Sequence, residues 1–75
     1  MKVTVKLFAI QGENRDNASQ AVILNYGASI QDLLESLDVS ENDVGILMVN
    51  SRSATFAQTL YNGDIVTIIP SIGGG

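Results

Sequence analysis

Apolar residues recur along this chain with two different periods, and the switch between them divides it. From Lys2 to Ile10, Val3, Val5 and Leu7 alternate with Thr4, Lys6 and Phe8, the two-residue period of a strand buried on one face. Gln11 to Asn17 contains Gly12, Asn14, Asp16 and Asn17 and has the composition of a loop, after which Gln20 to Asn25 returns to β-branched and aliphatic residues. Together these segments predict a hairpin with a loose loop. At Ser29 the period lengthens: Ile30, Leu33, Leu34 and Leu37 fall on one side of a helix running from about Ile30 to Leu37. Gly27 precedes it, Ser29 is the candidate N-cap, and Asp32 places an acid against the positive end of the helix dipole. Asp38 to Gly45 reads as a connection with one helical turn capped by Ser40. Ile46 to Val49 is a short unbroken apolar run, which predicts a strand buried on part of both faces, and Asn50 to Ser53 a turn. Ala54 to Tyr61 has only a weak pattern. Asn62-Gly63 is a tight-turn signal before a last strand, Ile65 to Ile69, which Pro70 stops because it lacks a backbone donor. Tyr26 and Tyr61 are expected to pack at the sheet margin.

The order is therefore strand, strand, helix, strand, turn, strand. A helix with one aliphatic face needs a sheet to cover it, so the expected class is α+β, with a mixed four- to five-stranded sheet packed on one main helix. No repeat, linker or shift of composition divides the chain, and residues 1–75 read as one domain with 71–75 as its tail.

Composition narrows the chemistry. A hydrophobic content of 45% in 75 residues suffices for one core, near the lower limit of independent stability. The chain has neither Cys nor His, which removes the thiol nucleophile, the disulfide, the commonest general base and the commonest metal ligand. Self-contained catalysis is not expected, nor a bound cofactor. A net charge of −4 repels phosphate backbones, so nucleic acid is not an expected partner. Asp32, Glu35, Asp38, Glu41 and Asp43 follow one another without an intervening Lys or Arg. Such a run could meet a basic surface or a cation, but it lacks the turn glycine and glutamate spacing of a calcium loop and reads as a solvated face, with no metal site. The opening residues alternate rather than forming a signal-peptide core, and no stretch reaches membrane-spanning length; a cytoplasmic location is the expectation, with no membrane partner.

Candidate chemistry lies at Gly73, Gly74 and Gly75, directly behind the β-forming run. Glycine has no Cβ, so such a tail can extend through a narrow channel and carry its carboxylate to a partner's active site. Upstream, if Val3, Val5 and Leu7 face the helix, Phe8 lies on the opposite face of the sheet, where with Ile69 it would form a surface for a partner to cover. The alternative is that Phe8 closes the core edge or is a single tolerated exposed apolar group. Gly63 and Asp64 read as turn residues.

The opening Lys2-Val3-Thr4-Val5-Lys6-Leu7-Phe8-Ala9, the pair Val49-Asn50, Leu60 before the turn, Gly63-Asp64, and the ending Pro70-Ser71-Ile72-Gly73-Gly74-Gly75 resemble the ubiquitin-like β-grasp fold. More narrowly, they resemble the sulfur carriers of the MoaD/ThiS family, along the whole chain. The resemblance implies that Gly75 is the reactive residue, supported by Gly74. An E1-like enzyme of the MoeB/ThiF type would adenylate its carboxylate, and a sulfur donor would displace AMP to leave a thiocarboxylate. ATP and the sulfur donor would belong to the partner enzyme, and the chain would contribute the acyl terminus and a docking surface at Phe8, Ile69, Pro70, Ile72 and Gly73. Pro70 and the generous first loop look more like the small subunit of molybdopterin synthase, whereas the triple glycine points to the thiamine-thiazole carrier. Ser71 and Gly73 also stand where the molybdopterin branch commonly has a second proline and another small residue. The acceptor would be the large subunit of molybdopterin synthase or thiazole synthase. The alternatives are a ubiquitin-like protein modifier and a passive β-grasp interaction module.

Overall fold

The computed structural model describes residues 1–11 and 14–71, with 9–11 and 14–18 described by backbone alone. Strands β1 (Lys2–Gln11) and β2 (Asn14–Ile23) precede helix α1 (Ile30–Ser36). After a single 3-10 turn, Glu41–Asp43, come β3 (Val44–Val49), β4 (Arg52–Ser53) and β5 (Ile65–Pro70). The five strands form one sheet in the order β2-β1-β5-β3-β4. β1 and β5 run parallel at its centre, with Val5 opposite Val66 and Leu7 opposite Ile68, and the other pairs are antiparallel. A parallel central pair flanked by two hairpins is the ubiquitin-like β-grasp arrangement.

The two periods read from the chain place the core. Val3 and Val5 of β1, Val66 and Ile68 of β5 and Leu47 and Val49 of β3 are buried together with Ile30, Leu33 and Leu34 of α1. Leu60, in the segment of weak pattern, is buried too, at 1% exposure. That segment is ordered by the helix: Ile30 N–H donates to Gln58 O at 3.0 Å, Gln31 N–H to Phe56 O at 3.0 Å, and Leu60 N–H to Ala28 O at 2.8 Å. Two donors that a helix start leaves without intrahelical partners are thereby satisfied by a loop from elsewhere in the chain. Ser29 is the N-cap, and its reciprocal bonds with Asp32 complete a capping box. Ser40 caps the 3-10 turn, accepting from Asn42 N–H at 3.2 Å.

Several expectations change, and Val44 and Gly45, expected to end the connection, already belong to β3. The predicted loop Gln11 to Asn17 is mostly strand: β2 begins at Asn14 and pairs in unbroken register with β1, Gln11 opposite Asn14 and Phe8 opposite Asn17. Polar residues can occupy a ladder whose pairing comes from the backbone. β2 ends at Ile23 rather than Asn25. Of the predicted turn Asn50 to Ser53, only Asn50 and Ser51 turn, both with positive φ, and Arg52 and Ser53 return as β4 against Val49 and Met48. This is the two-residue hairpin geometry whose twist suits the flanking strands. Tyr26 and Tyr61 do not pack at the margin; they are 83% and 69% exposed.

Candidate functional site

The site is built where β5 ends. Pro70, its last residue, lies opposite Val44, while Ile69 lies opposite Ile46. Gly45 is therefore an extra residue on β3, a bulge. The bulge resets the alternation of β3: Val44 packs against the core, yet Ile46, two residues on, is 51% exposed. Beyond Pro70, Ser71 N–H donates to Asp43 O at 2.9 Å, so the chain is still held at its last described residue.

The sheet face opposite α1 carries the even positions of β1 and the odd positions of β5. Phe8 and Ile69 share it and are half-buried; Ile46 extends it onto β3 beside Ile69, and Ile65, 39% exposed, lies on it at the start of β5. Lys6, exposed, stands on the same face of β1. The structure thus brings together Phe8 and Ile69 from the expected docking set and adds Ile46, a member of the apolar run expected to be buried on part of both faces. The period of β5 sets half-buried Pro70 on the other side, with Val66 and Ile68. Ile72, Gly73, Gly74 and Gly75 lie outside the described residues.

Gly63 serves the turn as expected: its φ is +90°, and its N–H donates to Lys2 O at 2.8 Å. Asp64 does more than neighbour it. Its Oδ2 accepts from Tyr61 N–H at 2.8 Å, and its Oδ1 accepts from the side-chain amide of Asn50 at 3.0 Å. The acids Asp32, Glu35, Asp38, Glu41 and Asp43 are exposed, and among the described residues no group of three or more such side chains is arranged to hold a metal ion. Among those residues, too, no helix is long and apolar enough to cross a membrane.

The arrangement is a sheet face with exposed apolar groups beside the root of a glycine-rich end, and the ThiS family model matches residues 5–75, through that end. The chain belongs to the ThiS family. This ThiS-family chain is also similar in fold to solved structures. The crystal structure of SAMP1 from Haloferax volcanii is 20% identical over 100% of both chains, with a TM-score of 0.74. A crystal structure of the H. volcanii small archaeal modifier protein 1 is 20% identical over 95% of this chain and 98% of that one, with a TM-score of 0.73. No curated protein matches the chain in sequence. Members of the ThiS family are small carrier-type proteins that work with E1-like enzymes and with acceptor enzymes.

Proposed function

We propose that this chain is a sulfur carrier whose terminal Gly75 is activated by an E1-like enzyme and converted to a thiocarboxylate for cofactor biosynthesis. The observation that carries this reading is the family match continuing to residue 75, through the glycines. In the first step a carboxylate oxygen of Gly75 attacks the α-phosphorus of ATP; the O–P bond forms and pyrophosphate leaves. In the second, sulfur at the sulfide level attacks the acyl carbon. The C–S bond forms, the C–O bond to AMP breaks with its electron pair on AMP, and the sulfur's proton passes to solvent. A free carboxylate is a poor electrophile, so the mixed anhydride supplies the leaving group, and unsubstituted Cα atoms at Gly74 and Gly75 give the reactants room to approach. The partner brings ATP and its catalytic groups, in keeping with a carrier that has no His or Cys.

Phe8, Ile69 and Ile46 form the surface on which the activating enzyme docks, with Pro70, Ile72 and Gly73 leading into its active site. Two features had favoured the molybdopterin branch. One, the long first loop, is not there, since β1 runs to Gln11 and β2 starts at Asn14; Pro70 remains. Pro70 alone now favours that branch, against the triple glycine, Ser71 and Gly73, so the large subunit of molybdopterin synthase and thiazole synthase are both acceptors to test.

Intact-protein mass spectrometry after incubation with an E1-like enzyme, ATP and a sulfide donor tests the reading. The expected result is replacement of one oxygen by sulfur, localised to Gly75; an unmodified mass under conditions that convert a known carrier overturns it. A protein modifier is the second reading, favoured by the likeness in fold to the small archaeal modifier protein 1. Isopeptide-linked conjugates in cell extracts, ending in Gly75 on target lysines, would establish that reading.

A further inference from the structure

Gly45 is a glycine for reasons of space. Its φ is not in the left-handed region, where Gly27 and Gly63 lie, so backbone conformation alone does not call for glycine there. A Cβ built on it would stand 2.9 Å from Ser71 Cα, 3.0 Å from Pro70 O and 3.1 Å from Ser71 N. All three are backbone atoms, which cannot rotate aside as the end of a side chain can. Even alanine at this position would push the 70–71 backbone away by about half an ångström before reaching ordinary van der Waals contact. The same stretch of backbone is held from the other side of the bulge, where Ser71 N–H donates to Asp43 O at 2.9 Å. Asp43, Val44 and Gly45 thus form a seat for the root of the tail.

The seat is continuous with the open face of the sheet. Gly45 is bonded to Ile46, and Ile46 lies opposite Ile69, two residues before Ser71. The position of the tail root is therefore fixed relative to the exposed apolar groups by two strands in register. A partner that docks on that face receives the tail at a set place, and the four residues after Ser71 span at most about 14 Å. We propose that Gly45 is a positioning residue: by letting the Pro70–Ser71 backbone seat in the β3 bulge, it sets where the tail leaves the docked sheet and so aligns Gly75 for activation. This inference rests on the carrier reading above.

Gly45→Ala and Gly45→Val test it, with adenylation by an E1-like enzyme followed as ATP-pyrophosphate exchange and carrier binding followed separately by calorimetry. We expect kcat to fall about 10–100-fold for Gly45→Val and less for Gly45→Ala, since a misplacement of about 1 Å can cost that much, while the dissociation constant stays within about twofold. Inserting one glycine after Ser71 in the Gly45→Val chain restores part of the rate, because added length compensates for a displaced root. Faster hydrogen exchange at the Ser71 amide accompanies the loss. An active wild type with equally active Gly45 variants overturns the positioning role, as does a loss of rate that matches a loss of binding and is not restored by the inserted glycine. If Gly45→Val does not fold, Gly45→Ala and the exchange measurement decide alone. A wild type that is never adenylated overturns the carrier reading itself, and the Ser71 exchange comparison then still reports whether the seat exists.

Discussion

The side-chain amide of Asn50 donates to Asp64 Oδ1 at 3.0 Å, and its own carbonyl oxygen accepts from Ile65 N–H at 3.0 Å. Asn50 N–H completes the set by donating to Ile65 O at 2.8 Å. One residue at the turn of the β3-β4 hairpin is thereby tied to Asp64 and Ile65, where the chain enters β5. The pairs Val49-Asn50 and Gly63-Asp64, separate marks in the sequence, are a single structure in the fold. Asn50 has a φ of 53°, a left-handed conformation that asparagine tolerates better than most residues.

Replacing Asn50 should separate these two contributions. Asn50→Ala loses the side-chain bonds and also strains the backbone, at a combined cost of about 2–3 kcal/mol. Asn50→Gly keeps the conformation and loses only the bonds, about 1–2 kcal/mol. Urea denaturation measures both, and Asp64→Ala should cost less in the Asn50→Ala background than alone. Equal costs for the two Asn50 variants would show that φ contributes nothing.

At the start of α1, Ser29 Oγ accepts from Asp32 N–H at 3.3 Å, and Ser29 N–H donates to Asp32 Oδ2 at 2.9 Å. Ser29→Ala is expected to destabilise the fold by about 1 kcal/mol. Because the box is reciprocal, Ser29→Ala with Asp32→Ala should cost less than the two single changes added together, as read from denaturation midpoints.

Burial predicts a sharp contrast between apolar positions. Leu33 is fully buried, and Leu33→Ala should cost about 2–5 kcal/mol, enough to leave so small a fold near its unfolding threshold at room temperature. Tyr26→Ala and Tyr61→Ala, at exposed sites, should change stability by no more than about 0.5 kcal/mol. A cost above about 1 kcal/mol for either tyrosine would mean that it is packed in solution.

The open sheet face can be tested without touching the tail. Ile46→Asp puts a charge at a half-exposed position and is expected to weaken binding to the activating enzyme at least tenfold, roughly 1.4 kcal/mol, with a smaller loss of thermal stability. Tyr26→Ala is the control. Tyr26 follows Leu24, which bonds Met1, at the end of the sheet away from Ser71, and its loss should leave binding unchanged. Titration calorimetry distinguishes the two, and equal effects would move the docking surface elsewhere.

What the sequence determined was local in origin. The alternation of Val3, Val5 and Leu7, the helical spacing of Ile30, Leu33 and Leu34, the caps at Ser29 and Ser40 and the turn at Gly63 each depend on neighbours within a few residues, and each stands in the structure as read. The glycine tail was legible as candidate chemistry for the same reason. Tertiary structure decided what depends on the chain across the way. Asn14 to Asn17 is strand because β1 offers it a ladder, against its loop composition. Phe56 to Leu60 has no period of its own and takes its course from α1, with Phe56 and Gln58 accepting from the helix start and Leu60 donating to Ala28. Ile46 faces outward because a bulge at Gly45 resets the alternation, and the bulge is visible only once β3 lies against β5. The seat of the tail root joins Gly45 to Ser71, residues far apart in sequence, through a close approach that only the folded sheet creates. Periodicity records which side of an element is buried; it carries no record of which backbone will lie beside it, and the placement of this site depends on that second fact.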